Sequence, residues 1–175
     1  MNQLTGSGKY MDELERTLYN SILTGISLSG NNYTYQNPLN AHKHERWEWH
    51  SCPCCPPMFL KIMSAMPGYI YAKQQSNVYV NLYVSSETII KTENDNQIKL
   101  VQQTDYPWKG KINISVDPTT DKPFSIKLRI PGWATGNENN YGLYISKPSE
   151  EISISVNQMP YPVNIVDGYV TLKKV

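Results

Sequence analysis

The spacing of apolar residues changes once along this chain, near Gly68, and that change limits the fold to two differently built parts. Upstream, Tyr10, Met11, Leu14, Leu18 and Ile22 recur at three- and four-residue intervals, which predicts an amphipathic helix over 10–23. Ser7 stands where a cap would precede it, and Gly25 follows it. A second helix is predicted from Pro56-Pro57, because the first helical turn tolerates proline, with Phe59, Ile62, Met63 and Met66 turned inward and a stop at Pro67-Gly68. Between the two, residues 29–49 are rich in Asn, His and Tyr and have no period, which predicts an ordered loop or hairpin over a site. Each helix has one apolar stripe and needs a neighbour, and two short helices cannot close a barrel by themselves.

Downstream the period becomes two. Strands are predicted at Tyr69-Ile70-Tyr71 and over 78–84, 98–101, 111–116, 124–130, 152–156 and 169–172, with Asp167-Gly168 as a hairpin turn. Short strands separated by turn signals predict a β-sandwich.

A chain of 175 residues with 39% hydrophobic content can bury one core and a small second unit. Its 13 Tyr and 4 Trp against 2 Phe are rings with a polar edge, which suit sugar faces and half-buried strands alike. For most of them, including Trp108 and Trp133, the strand setting predicts a structural role. A net charge of +1, from 16 basic and 15 acidic residues without runs, gives no electrostatic footprint for nucleic acid or an anionic membrane. A neutral partner such as a carbohydrate is compatible with it. No apolar stretch approaches a membrane span, and Met1 to Tyr10 has no signal-peptide core, so cytoplasm and periplasm both stay open for a longer parent protein. The chain begins just before a helix and ends at Lys173-Lys174-Val175 directly after a strand-like run, so both ends are expected to be cut edges of a larger protein.

The densest chemistry is His50-Ser51-Cys52-Pro53-Cys54-Cys55-Pro56-Pro57. Three thiols in four positions cannot build a disulfide framework, and a Cys54-Cys55 bridge would close a very small strained ring. At a predicted helix start they sit where backbone N–H groups and the positive end of the dipole favour thiolate, able to attack an electrophilic carbon or bind a soft metal. Zinc takes four Cys, His or carboxylate ligands, so a site here needs more than these thiols. His42, His44, His50, Glu45 and Glu48 are the local candidates, none with zinc-finger spacing. The competing reading is small apolar cysteines buried at a helix start.

Ahead of the cysteines, Tyr33, Thr34, Tyr35, Gln36 and Asn37 combine phenol and amide groups suited to hydroxyl-rich ligands, and they equally suit turns and strand ends. Trp47 and Trp49 flank Glu48, so one ring can line a pocket while the other packs, or both can pack in a core.

These residues resemble glycoside hydrolase family 127, the β-L-arabinofuranosidases. The resemblance runs along nearly the whole chain: YMDELERTLYN at 10–20, YQNPL at 35–39, CPCCPP at 52–57, GYIYA at 68–72, VYVNLY at 78–83, DYPW at 105–108 and LRIPGWA at 128–134. The adjacent cysteines before two prolines are its specific part. It implies an α+β multidomain fragment: residues 1–68 as the last helical hairpin and active-site loop of an (α/α)6 barrel, and residues 69–175 as an all-β sandwich truncated at its C-terminus. It implies Cys54 as the nucleophile that forms a thioglycosyl intermediate hydrolysed with retention, Cys54 and Cys55 as zinc ligands, and Tyr35 as a substrate-pocket tyrosine. The other ligands, a glutamate and a cysteine, and the acid/base glutamate belong to a barrel segment upstream of Met1. Cys52 matches a family cysteine without a ligand role, His50 replaces a small or aromatic residue, and Asn40 replaces a frequent acidic residue, which bears on sugar specificity.

The resemblance implies a zinc-dependent glycosidase fragment with negligible hydrolysis of its own, since a retaining enzyme needs a proton donor opposite its nucleophile. An isolated chain should also expose the helix faces that meet the barrel, and so aggregate or form a homodimer. A different class remains in view, a non-catalytic β-sandwich module that binds a glycan or packs on a partner domain. A redox or metal-storage role is weaker, because Cys-X-X-Cys spacing is lacking.

Overall fold

A computed structural model describes residues 1–43, 45–93, 95–136, 143, 145, 147–148 and 151–174. It is a small α+β chain in two compact units, Met1–Asp12 with Tyr69–Val175, and Glu13–Gly68.

The first predicted helix is helical throughout but not uniform. α1 (Asn2–Thr5) is a short unforeseen turn, and α2 (Lys9–Thr17) passes into a π-helical turn at Leu18–Ile22 and a 3-10 turn at Leu23–Gly25. Ser7 is not its cap: α2 opens at Lys9, and the N–H groups of Met11 and Asp12 donate to the Gly8 carbonyl, which puts Gly8 in the cap position. Met11 and Leu18 are buried, and Ile26 returns to extended backbone just after Gly25. α3 (Cys55–Ala65) is the second helix, with Pro56 buried and Phe59, Ile62, Met63 and Met66 more covered than Met58 and Leu60. Pro67-Gly68 does not stop the helical geometry as expected: Pro67 opens a further turn, α4 (Pro67–Ile70), and the first strand starts only at Tyr71. A proline fixes the φ that a first helical turn requires, so it ends one helix and seeds the next. No helix among the described residues is long and apolar enough to cross a membrane.

Among the described residues the β unit holds ten strands. β1 (Tyr71–Gln74), β2 (Asn77–Val80), β6 (Phe124–Arg129), β10 (Tyr169–Lys174) and β9 (Ile165–Val166) form a five-stranded mixed sheet in the order β1-β2-β6-β10-β9. β2 and β6 pair in parallel, with Val78 opposite Ile126 and Val80 opposite Leu128. The chain between them makes an antiparallel sheet of β3 (Ser86–Lys91), β4 (Gln97–Thr104) and β5 (Ile112–Pro118). β7 (Ile154–Val156) and β8 (Met159–Tyr161) make a separate hairpin. Val78 and Val80 of β2, Ile98 and Leu100 of β4, Phe124 and Ile126 of β6, and Tyr83 supply one hydrophobic core, so the two larger sheets share it. The strand predicted over 78–84 is shorter than expected, yet Leu82 and Tyr83 remain in the interior.

Asp167-Gly168 is the predicted hairpin turn, with positive φ at both residues (51° and 83°), the geometry of a two-residue turn matched to strand twist. A Cβ on Gly168 would stand 3.0 Å from the Gly8 Cα, and the Gly8 N–H donates to the Asp167 carbonyl at 2.7 Å. Only two glycines allow backbone to meet backbone at this distance.

Most tyrosines of this unit carry structure, each buried hydroxyl finding a partner. Tyr79 donates to Gln74 Oε1 at 3.0 Å, Tyr83 to the Arg129 carbonyl, and Tyr169 to Asn81 Oδ1 at 2.7 Å while accepting from Asn2 Nδ2 at 2.9 Å. Burial, ahead of the opposing hydrogen bond from Asn2, raises the Tyr169 phenol above its usual pKa, which keeps the hydroxyl a donor. Trp133 stacks on Tyr106 at 6.2 Å, but Trp108 is 89% exposed and packs in no core, contrary to expectation. Its backbone is held in a tight turn by the Asp105 carbonyl, and that turn aims the ring outward.

Candidate active site

The predicted loop at 29–49 is pinned by pairing rather than by a regular sheet. Tyr33 and Trp47 exchange backbone hydrogen bonds of 2.8 and 3.0 Å, and the Arg46 guanidinium donates to the Thr24 carbonyl at 2.9 Å. In extended backbone, residues two apart share a face. Tyr33 meets Phe59 of α3 edge-on at 6.4 Å, while Tyr35 reaches Trp47 at 6.2 Å and stacks on His50 at 4.8 Å. Trp47 is itself 4.8 Å from His50, so Tyr35, His50 and Trp47 form one aromatic cluster. Of the two tryptophans only Trp47 joins it, and Trp49 is exposed.

The cysteines follow at once. The Cys52 N–H donates to His50 Nδ1 at 3.1 Å, and the Cys54 N–H donates to the Cys52 carbonyl at 3.0 Å around Pro53. Cys54 is the N-cap of α3 and makes no capping bond with its side chain. Two of the first four N–H groups of α3 are missing because Pro56 and Pro57 have none, so the helix start offers fewer donors to sulfur than the sequence suggested. All three cysteines are free thiols, Cys52 and Cys54 exposed and Cys55 half-buried, so none is hidden in a core of the described residues.

Cys54 Sγ and Cys55 Sγ lie 3.7 Å apart. Two zinc–sulfur bonds of about 2.3 Å at a tetrahedral angle separate their sulfurs by about 3.8 Å, so the pair has the spacing of two ligands on one ion. Among the described residues no group of three His, Cys, Asp or Glu side chains completes such a set. His42, Glu45 and Glu48 are exposed, Glu45 is paired with Lys43 at 2.8 Å, and His44 lies outside the described residues.

Tyr35 connects the cluster to the thiols. Its hydroxyl oxygen is buried. Its pKa is raised, first by burial and then by the charge that Cys55, and further down Cys54, carries as thiolate, with the His50 backbone acting in the opposite sense. A buried phenol coupled to two sulfurs has the chemistry to bond an oxygen of a bound molecule. The sequence marked Tyr35, Cys54 and Cys55; the link made by His50 was not foreseen, and its only local signal is a histidine two residues before Cys52.

Comparison with known proteins identifies the family of the chain. The model of the β-L-arabinofuranosidase catalytic domain of glycoside hydrolase family 127 matches residues 1–68, and that of the family's middle domain matches residues 77–175. A non-reducing end β-L-arabinofuranosidase of Bifidobacterium longum subsp. longum is 29% identical over 98% of this chain and 26% of its own length. A solved family 127 β-arabinofuranosidase is 39% identical with a TM-score of 0.85, over 97% of this chain and 27% of that one. A β-L-arabinofuranosidase of the same family from Geobacillus stearothermophilus T6 is 30% identical with a TM-score of 0.83, over 99% of this chain and 27% of that one. The chain thus spans about a quarter of the length of these relatives.

Proposed function

Because the chain belongs to glycoside hydrolase family 127, we propose that it carries the nucleophile segment of a retaining glycosidase that cleaves β-L-arabinofuranosides or related glycans. The observation that carries this reading is the pair of free thiols, Cys54 and Cys55, 3.7 Å apart beside the buried Tyr35 hydroxyl. In this reading the Cys54 thiolate attacks the anomeric carbon, a C–S bond forms as the glycosidic C–O bond breaks, and the leaving oxygen takes a proton from a general acid. Water then attacks the same carbon, gives its proton to the conjugate base, and returns Cys54 as thiolate. Tyr35 holds a sugar hydroxyl in line with this displacement. Cys54 and Cys55 would hold a zinc ion, which when bound keeps sulfur deprotonated.

Among the described residues no group of three metal-binding side chains forms at the thiols, and the reading also needs an acid/base carboxylate and further ligands. We assign them to the upstream barrel segment of the relatives' length, with residues 1–68 ending an (α/α)6 barrel and residues 69–175 belonging to a β-sandwich. Alone the chain should show negligible hydrolysis. Its exposed Leu28, Leu39, Trp49, Met58 and Leu60 favour self-association, so light scattering on the isolated chain should read a dimer or larger species; a monomer at high concentration would count against the assignment of these faces to a barrel.

The test compares this chain with one extended by the relatives' upstream segment, for zinc content and for cleavage of a β-L-arabinofuranoside. The expected result is stoichiometric zinc and turnover only in the extended form. If neither binds zinc nor turns over, and glycan binding ignores substitution of Cys54 and Cys55, a non-catalytic binding module explains the chain better.

A further inference from the structure

His50 is the one member of the aromatic cluster that also holds the backbone of the cysteine segment. Its ring stacks on Tyr35 at 4.8 Å and meets Trp47 at 4.8 Å, and its Nδ1 accepts the Cys52 N–H at 3.1 Å. With Nδ1 as acceptor, the neutral ring carries its proton on Nε2. A second bond, from the Cys54 N–H to the Cys52 carbonyl at 3.0 Å, extends the connection from the ring to the nucleophile's own backbone. Downstream, the Cys54 carbonyl accepts the Met58 N–H at 3.3 Å, while the Cys54 side chain makes no capping bond and Pro56 and Pro57 supply no donor. A phenyl ring could stack here but not accept, and an amide could accept but not stack, so an imidazole alone does both.

We infer that His50 is a positioning residue for the thiol pair, holding Cys54 and Cys55 at bridging distance through the Cys52 N–H while seating Tyr35 beside them. The inference deepens the proposed function and takes its catalytic meaning from it. Its geometric content stands on the bonds above and can be read without catalysis.

Phenylarsine oxide provides the probe. It reacts with two neighbouring thiols to form two As–S bonds, its oxygen leaving as water with both thiol protons and no change of oxidation state. It therefore reports how well the two sulfurs are held together. The titration is made on this chain in a Cys52→Ala background, so that only Cys54 and Cys55 can bridge, with far-UV circular dichroism as the fold control. His50→Asn, which restores an acceptor for the N–H two residues on, should bind within about threefold of the parent, and His50→Phe about tenfold more weakly. Equal binding by the Phe variant overturns the inference. So does equal weakening in the Asn and Phe variants, because ring packing would then be the whole contribution of His50. If the Phe variant loses its fold, His50→Ala takes its place, with the same weakening of about tenfold expected and equal binding again overturning the inference. If the arsenical behaves as expected while no extended form yields a Cys54-dependent glycosidase, the functional reading falls and the positioning role of His50 remains.

Discussion

Replacing Cys54 with alanine in the extended, active form should lower kcat by about 10⁴-fold or more, while Cys54→Ser leaves a small residual rate. In the proposed mechanism, removal of the covalent nucleophile forces water to attack directly from a site built for a double displacement, and a 10⁴-fold loss corresponds to about 5.5 kcal/mol of transition-state stabilisation. Azide gives the decisive form of the test. In Cys54→Ala a small anion fits where sulfur stood, 3.7 Å from Cys55 Sγ, and attacks the anomeric carbon from that side. The product should be a glycosyl azide of inverted configuration, identified by NMR. A Cys54→Ala enzyme within tenfold of the parent, or an azide that neither restores turnover nor yields that product, would remove Cys54 from its assigned role. Tyr35→Phe provides the contrast: with the thiolate intact, it should raise KM more than it lowers kcat, since it removes one bond to substrate.

Asp12→Ala should cost about 3–5 kcal/mol of unfolding free energy, a large share of what a domain of this size possesses. The Arg129 side chain is fully buried in the β unit; its Nη1 donates to Asp12 Oδ1 at 2.6 Å and its Nε to the Asn81 carbonyl at 2.6 Å. The same Asp12 oxygen accepts the Gly132 N–H at 3.2 Å, so the carboxylate satisfies one buried charge and one backbone donor at once. Truncating it removes a carboxylate from a guanidinium held in the interior, so that more of the desolvation cost goes uncompensated. Asp12→Asn keeps an oxygen acceptor and should lose less. Urea unfolding followed by far-UV circular dichroism measures both, and a loss below about 1 kcal/mol for Asp12→Ala would mean that water compensates Arg129 in the folded state. Asp12 also sits in the first turn of α2, where a carboxylate is favoured by the helix dipole, a smaller effect of the same sign.

How much of this was legible follows from the range of each interaction. The helices around Leu14 and Phe59 and most strands could be read because 3.6- and 2-residue periods are written into near neighbours. Asp167-Gly168 could be read as a turn because glycine accepts positive φ, whereas the Asn157-Gln158 turn between β7 and β8, at 51° and 69°, offered no such residue and was missed. The helical turn at Pro67–Ile70 was misread as a stop and a strand, because proline serves both to end a helix and to begin one. Trp108 was misread because aromatic residues in a β region usually pack, and nothing in DYPW reveals that the turn faces outward.

By itself, then, the sequence determined the change of apolar period near Gly68, the membership of family 127 and the choice of Tyr35, Cys54 and Cys55 as the residues proposed for a site, since period, motif and side-chain chemistry are local properties. Only the tertiary structure decided that β2 lies parallel to β6, that Asp12 meets Arg129 across 117 positions, and that His50 joins Tyr35 to the cysteine segment. Those contacts depend on which distant groups can bury their area and satisfy their donors together, and that competition is settled only when the whole core forms.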